Sequence, residues 1–128
     1  MEKNIINGAN LSWDNSQEIL GMGGSWIGDL IFGEKKISES SLVDNYLYDK
    51  SNNRIFFVKF NRITKWANDN FFSIHYYSLD SGMISNLNKA YGKAYLDSID
   101  GESLIVFKSF NNKDLSKKEL IKLKEEGI

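Results

Sequence analysis

Polar and apolar residues alternate with the period of a β-strand through much of residues 42–110. Three strand-turn-strand patterns follow one another there, over residues 42–61, 71–88 and 93–110. Each has a β-rich run, a short polar turn and a second β-rich run, as a β-hairpin requires. The turns are residues 50–53, 80–82 and 100–101, and the last two contain glycine, which tolerates a left-handed conformation. The pattern therefore predicts an antiparallel β protein.

The faces of these strands predict the core. The face that carries Phe56 is apolar throughout, whereas the opposite face begins with Ile55 and becomes polar from Lys59 onward. The run of residues 103–110 is apolar on both faces, so this strand should be central in a sheet or covered. The residues predicted to be buried are Phe56, Val58, Phe60, Phe72, Ile74, Tyr76, Val106 and Phe107.

The segments on either side are less regular. Trp26, Gly28 and Leu30 have the parity of a half-buried strand, which predicts a strand over about residues 25–32. The glycine-rich stretch before it lacks the spacing of a phosphate-binding loop and leads into a strand, so it is interpreted as a turn. Residues 62–70 are predicted to form a loop, in which Trp66 closes the edge of the core.

The C-terminal residues have the sequence signals of a short helix. Ser116 and Glu119 have the spacing of a capping box, and Leu115 and Leu120 that of a hydrophobic staple. Gly127 stands where a left-handed C-cap is favoured. These signals predict a short α-helix that covers one side or edge of the sheet.

Together these elements predict a mainly β fold of the α+β type. We expect an antiparallel β-meander that forms a sandwich or half barrel, with a short C-terminal α-helix. A chain of 128 residues suits a single domain, residues 1–128, with one core. The hydrophobic content of 41% and aromatic content of 13% favour an ordered globular protein over disorder.

Composition and charge narrow the setting in which the protein works. The chain has no Cys, which suits the cytoplasm, and its first residues predict neither a signal peptide nor a membrane anchor. A net charge of -1 argues against direct nucleic-acid binding. The charge is uneven, because residues 1–53 carry eight acids against four lysines, whereas the rest carries twelve basic residues against nine acids. Such asymmetry can steer a charged partner.

Few residues can support catalysis. The single histidine, His75, cannot form a His-rich zinc site, and without Cys there is no thiol nucleophile. No sequence context marks one serine as the nucleophile of a triad with His75. Asp97, Asp100 and Glu102 could act as an acid pair or hold a hard cation, but their place at a hairpin turn favours ordinary turn chemistry. We therefore predict no enzyme activity, no metal site and no cofactor.

Binding to another protein remains compatible with this composition. Tyrosines on exposed strand faces provide large contact areas with few rotatable bonds, and interfaces are enriched in them. Acidic residues beside them could meet a basic partner. The predicted partner-binding residues are Asp44, Tyr46, Tyr48, Asp49, His75, Tyr77 and Asp80.

The sequences YLYDKSNNRIFFVKFN and FSIHYYSLDSGMI resemble the repeated strand-turn-strand segments of small β-rich bacterial immunity proteins. These proteins are encoded beside secreted polymorphic or contact-dependent toxins, and the resemblance covers about residues 42–110. It implies a cytoplasmic protein that binds one cognate toxin domain, here expected to be a nuclease, and blocks its active site or the approach of its substrate. The resemblance assigns no individual functional residue.

Two other classes remain open. A small-ligand or carbohydrate-binding module is suggested by Trp13, Trp26 and Trp66, because aromatic rings can stack on sugar faces. A hydrolase that uses His75, or the acids near residue 100, ranks last.

Overall fold

The computed structural model describes residues 4–19, 24–62 and 70–123. These residues form ten β-strands, one 3₁₀ turn at Leu115–Lys117 and no α-helix. The strands are β1 Ile5–Ile6, β2 Ala9–Glu18, β3 Trp26–Phe32, β4 Lys35–Asp49, β5 Arg54–Asn61, β6 Phe71–Ser78, β7 Ile84–Tyr91, β8 Tyr95–Asp100, β9 Ser103–Phe107 and β10 Lys118–Lys122.

The strands form two antiparallel sheets. Strands β1 to β7 make a seven-stranded meander in chain order, and a three-stranded sheet has the order β10-β9-β8. The three predicted hairpins are confirmed as β4–β5, β6–β7 and β8–β9. Gly82 and Gly101 have φ angles of 73° and 59°, so both turns place a glycine in the left-handed region, as expected.

The strand predicted at residues 25–32 is confirmed as β3, whereas β1 and β2 were not predicted. Gly28 lies in the middle of β3, where β2 approaches it closely. A Cβ atom at this position would lie 2.8 Å from the backbone oxygen of Asp14. Glycine is therefore required here by the close approach of the two backbones.

One hydrophobic core, the inter-sheet core, lies between the two sheets. A fully buried side chain of Phe or Ile size contributes about 1.5–3 kcal/mol relative to exposure. The core draws on β3 to β7 and on all three strands of the small sheet, and its buried members are Ile19, Ile27, Leu42, Phe56, Val58, Phe60, Phe72, Ile74, Leu87, Tyr91, Ala94, Leu96, Leu104, Val106, Ile121 and Leu123.

A second cluster lies on the opposite face of the large sheet, where it contains the buried Ile55 and Phe57 together with Leu30. This face of β5 is apolar at its start, as expected, but its burial in a cluster of its own was not predicted. The rings of Phe32 on β3 and Tyr77 on β6 lie 6.0 Å apart. In a flat sheet, strands separated by two others would be about 14 Å apart. The large sheet is therefore strongly curled, and its N-terminal strands cover the second cluster.

Seven of the eight residues predicted to be buried are buried, including Phe56, Phe72 and Val106. Tyr76 is only partly buried. Its ring packs at 5.6 Å from that of Phe56, and the guanidinium of Arg54 lies 4.8 Å from its centre. Central placement of the last β-rich run is confirmed, because β9 lies between β8 and β10.

The predicted C-terminal α-helix is wrong. Asp114, and not Ser116, caps the segment, and it accepts hydrogen bonds from the backbone N–H and hydroxyl of Ser116 in a single 3₁₀ turn. Residues 118–122 then pair with β9 as β10. An isolated helix of this length is marginal in water, whereas β9 offers a row of backbone donors and acceptors. The alternation of exposed Leu120 with buried Ile121 completes the strand pattern. Gly127 and Trp66 lie outside the described residues.

Candidate functional site

Two of the predicted partner-binding residues are turned into the protein. Asp49 is 6% exposed and accepts hydrogen bonds from Arg54 Nε at 2.9 Å and Asn52 Nδ2 at 3.0 Å. Tyr77 is 7% exposed and packs against Phe32 in the second cluster. Both side chains therefore contact the rest of the protein and have little surface exposed to solvent.

The structure brings Tyr48 and Asp80, two other predicted residues, together at the end of the β4–β5 hairpin. Asn53 lies between them, because its Oδ1 accepts from the Tyr48 hydroxyl at 3.2 Å and its Nδ2 donates to Asp80 Oδ1 at 2.8 Å. Asp80 is exposed, whereas Tyr48 is half-buried. The Tyr48 hydroxyl is also 3.4 Å from Asn7 Oδ1, so the β1–β2 turn joins the same polar cluster.

Tyr46 lies two residues before Tyr48 on β4 and is also half-buried. Its hydroxyl donates to Asn4 Oδ1 at 2.8 Å, and its ring lies 5.9 Å from that of Trp13. Burial raises the pKa of Tyr46, and the negative charge of Asp44 raises it further. Tyr46 therefore stays protonated and holds the N-terminal segment against the sheet.

His75 is half-buried and lies beside Lys59, and none of the acidic residues with which it was grouped is hydrogen-bonded to it in the part of the chain that the structure describes. Its ring stacks on Phe57 at 5.6 Å, and its Nε2 is 2.7 Å from Ser73 Oγ. Asn61 Nδ2 donates to the same hydroxyl at 2.8 Å, so Ser73 is best placed to donate its proton to Nε2. Burial, and secondly the charge of Lys59, lower the pKa of His75. The imidazole is therefore neutral at pH 7.

The arrangement of Ser73 and His75 bears on the hydrolase alternative. Ser73 is only 3% exposed, so a substrate cannot reach its hydroxyl in this conformation. Among the described residues, no carboxylate is hydrogen-bonded to His75. Asp97 lies in β8 rather than in the hairpin turn, and its carboxylate accepts hydrogen bonds from Ser98 and Asn112, both at 2.9 Å. In the described ranges, no three His, Asp or Glu side chains are grouped to hold a metal ion.

An open groove lies where the two sheets meet, and Asp44 is on its wall. The groove has a volume of about 470 Å³ and is lined by aromatic side chains from both sheets, among them Trp26, Tyr95 and Phe110. Trp26 is 48% exposed although it is a large hydrophobic residue. The site therefore combines an exposed aromatic ring with a carboxylate.

The position of Asp44 follows from an irregularity in β4. Ser41 pairs with Lys59 and Tyr46 pairs with Phe57, so four residues of β4 lie opposite a single residue of β5. Asp44 has a φ angle of 60° within this bulge, which turns its exposed side chain toward the groove. Bulges commonly redirect side chains in this way.

Asn45, the next residue, fixes the other wall of the groove. Its side-chain amide donates to the backbone oxygen of Leu96 at 3.1 Å and accepts from the backbone N–H of Leu96 at 3.0 Å. Tyr95 precedes Leu96 and lines the same groove as Trp26. Sequence reasoning missed Asn45 and Tyr95, and the only available signal was an asparagine inside a strand pattern.

Several acids lie on the β2–β3 hairpin that leads into the groove. Asp14 and Asp29 are directly opposite each other, and Glu18 is opposite Trp26. Like charges in direct cross-strand pairs are destabilising. Asn15 Nδ2 donates to Asp29 at 3.0 Å, but no described Lys or Arg forms an ion pair with Asp14, Glu18 or Asp29. The hairpin therefore presents negative charge that the described cations do not neutralise.

No family model, curated protein or solved structure matches this chain. None of the described segments is a helix with the length and apolar character needed to cross a membrane.

Proposed function

We propose that this protein is a cytoplasmic bacterial immunity protein that binds and neutralises a cognate toxin domain. The toxin is a nuclease, and binding blocks its active site or the approach of its substrate. The observation that carries the proposal is Trp26, a nearly half-exposed tryptophan at the edge of an open groove beside Asp44. The resemblance of the hairpins at residues 42–110 to immunity proteins supplies the class of partner.

The aromatic ring supports a binding role through its size. Trp is enriched among residues that dominate binding energy, and truncation of such a residue costs about 2 kcal/mol or more. The groove provides a concave apolar surface around Trp26, into which a partner side chain can insert. In this interface Trp26 and Tyr95 take the role that was first expected of Tyr46, Tyr48 and Tyr77.

The charges support a basic partner. A nuclease binds polyanions, and its substrate cleft is positively charged. Asp44 lies on the wall of the groove, and Glu18 is paired with Trp26 across the β2–β3 hairpin. Carboxylates arranged around an aromatic anchor would speed association with a basic cleft and oppose association with acidic proteins.

A second candidate function uses the same groove. Trp26 and Tyr95 could stack on the faces of a sugar, and Asp44 could accept hydrogen bonds from its hydroxyl groups. A volume of about 470 Å³ lies within the range of small-molecule sites. The groove is therefore also compatible with a carbohydrate-binding module.

The test begins with the gene next to the one that encodes this chain. If it encodes a large secreted protein, its C-terminal domain is expressed and its nuclease activity is measured with and without this protein. We expect inhibition at an equimolar ratio, lost in Trp26→Ala and retained in Leu115→Ala, which removes an exposed apolar side chain that does not line the groove. The absence of a toxin domain from the locus, together with no partner in a pull-down, would contradict the proposal.

The carbohydrate alternative is tested on a glycan panel by tryptophan fluorescence. Saturable quenching that disappears in Trp26→Ala would favour a sugar ligand. Flat titrations across the panel would eliminate it.

A further inference from the structure

A second cleft, distinct from the groove, opens where β4 separates from β5. The first half of β4 pairs with β3, and its pairing with β5 begins only at Ser41. The gap has a volume of about 490 Å³, with Lys36, Ser38 and Ser40 on one side and Lys59 and His75 on the other. In contrast to the groove, it is lined mainly by polar and cationic side chains.

The balance of charges in the cleft is positive. Lys36 Nζ lies 3.5 Å from Glu39 Oε1, so these two charges compensate each other. Lys59 forms no ion pair with a carboxylate among the described residues. A cation that lines a cleft without an anionic partner attracts an anionic ligand or counter-ion. The cleft is therefore suited to an anion.

Neutral polar side chains lie on the strands next to Lys59. Ser73 is directly opposite Lys59 on β6, and its hydroxyl holds Nε2 of His75 as an acceptor. The other ring nitrogen, Nδ1, then carries the proton and has no hydrogen-bond partner among the described residues. Ser41 is opposite Lys59 on β4, and its buried Oγ likewise lacks a partner in the described ranges. Lys59 and His75 thus line the cleft together, and Ser41 and Ser73 lie opposite Lys59 on the neighbouring strands.

We propose that the cleft between the first half of β4 and strands β5–β7 binds a small oxyanionic group, a phosphate or a carboxylate, through Lys59 and His75. Lys59 supplies the charge, and the Nδ1–H of His75 donates a hydrogen bond. This site is independent of the groove at Trp26, and it does not rest on the proposed immunity function.

The single histidine of the chain provides a direct probe, because its imidazole signals in an NMR spectrum need no assignment among several residues. Sodium phosphate and, separately, sodium acetate replace sodium chloride at constant ionic strength and pH, while the His75 Hε1 resonance is followed. We expect a saturable shift. Saturation with phosphate alone identifies a phosphate site, and saturation with both identifies a general oxyanion site. A shift that fails to saturate with either anion overturns the proposal.

Variants locate the binding. Lys59→Met removes the charge and keeps the apolar stem, and it should raise the dissociation constant by at least about fivefold. Lys113→Met, an exposed lysine in another segment, is the matched control and should leave the constant unchanged. Equal weakening in both variants would mean non-specific screening and would overturn the assignment.

A second variant keeps the test decisive if Lys59→Met does not fold. Lys36 is 52% exposed, so Lys36→Met is tolerated structurally, yet it leaves the Glu39 carboxylate uncompensated beside the cleft. Anion binding should weaken through repulsion. Unchanged binding in this variant would place the anion elsewhere.

Discussion

Asn45 and Leu96 are joined by two hydrogen bonds that link the two sheets. The side-chain amide of Asn45 donates to the backbone oxygen of Leu96 and accepts from its N–H, at 3.1 and 3.0 Å. Asn45 therefore satisfies the outward-facing backbone groups of β8 in place of a neighbouring strand. Leu96 is 2% exposed, so water cannot replace the amide if it is lost.

Asn45→Ala is expected to destabilise the protein by about 2–4 kcal/mol, because two buried backbone groups lose their partners. The measurement is urea unfolding followed by circular dichroism. Asn112→Ala is the control, since Asn112 is exposed and donates a single hydrogen bond to Asp97. It should cost less than about 0.5 kcal/mol. Equal small losses in the two variants would show that the link between the sheets contributes little.

The binding kinetics should separate the roles of the groove residues. Asp44→Asn keeps the shape of the side chain and should mainly slow association with a basic toxin domain, whereas Trp26→Ala should mainly raise the dissociation rate. Surface-based kinetics with the toxin domain can measure both. Lys117→Ala and Lys118→Ala remove exposed lysines near the C-terminus. These variants should neither slow association nor speed dissociation. Loss of binding confined to those lysines would place the interface on β10.

The ion pair of Asp49 and Arg54 provides a prediction about stability. Both side chains are less than 10% exposed, and Arg54 also lies over the rings of Phe56 and Tyr76 at 4.9 and 4.8 Å. Arg54→Met leaves the carboxylate of Asp49 buried without its cation, at an expected cost of about 3–5 kcal/mol. The double variant Arg54→Met with Asp49→Leu should recover part of that loss in chemical unfolding. A double variant less stable than the single one would contradict this account.

Gly28 and Gly92 form a matched pair of glycine positions. Gly28→Ala would bring a Cβ to 2.8 Å from the Asp14 oxygen, whereas a Cβ at Gly92 would meet nothing within 4 Å. We expect Gly28→Ala to lower the free energy of unfolding by about 1–3 kcal/mol. Gly92→Ala should be neutral or slightly stabilising, because it restricts the unfolded chain. Thermal unfolding of the two variants is sufficient to compare them.

His75 should make stability depend on pH. Its pKa in the folded protein is lowered, first by burial and then by Lys59, relative to an unfolded value of about 6.5. As the pH falls below about 6.5, the unfolded state takes up a proton first, so the free energy of unfolding decreases until the pH passes the folded pKa. The stabilising contribution is thus present above the unfolded pKa and lost below the folded one.

The measurement compares wild-type protein with His75→Gln in urea at about pH 7.5 and pH 5. Between these two pH values the wild type should lose more free energy of unfolding than the variant. Subtracting the loss in the variant from the loss in the wild type removes the effect of the carboxylates that both proteins contain. Lys59→Met should raise the pKa of His75 in an NMR titration. An imidazole pKa above the ordinary value would contradict the burial argument.

The hairpins were predictable because their signals are local. Alternation along β5 and β6 and the glycines at residues 82 and 101 determine strands and turns without reference to distant residues. The C-terminal strand was not predictable in this way, because the capping pattern at Ser116 and Glu119 also favours a helix. Pairing with β9 decided the outcome, and that contact is tertiary.

The candidate site was harder to predict for the same reason. Asp44 was identified, but its neighbours in space come from β3 and β8, which approach it through the bulge and the Asn45 link. Tyr77 was expected on an exposed face but is buried, because alternation alone cannot show that the large sheet curls over its second face. The burial of both faces of β5 has the same origin. Asp49 is buried on the other face of the large sheet, in an ion pair with Arg54, which lies over the rings of Phe56 and Tyr76.

Every hydrogen-bonded strand pair in the two sheets joins strands that are consecutive along the chain. Each pairing therefore closes a short loop, so the chain loses little conformational entropy when the two strands first meet. Proteins with such local topology fold faster than β proteins whose strands pair across long separations. The hairpins can therefore form one after another as the chain leaves the ribosome, and the inter-sheet core is complete only when the last three strands have been synthesised.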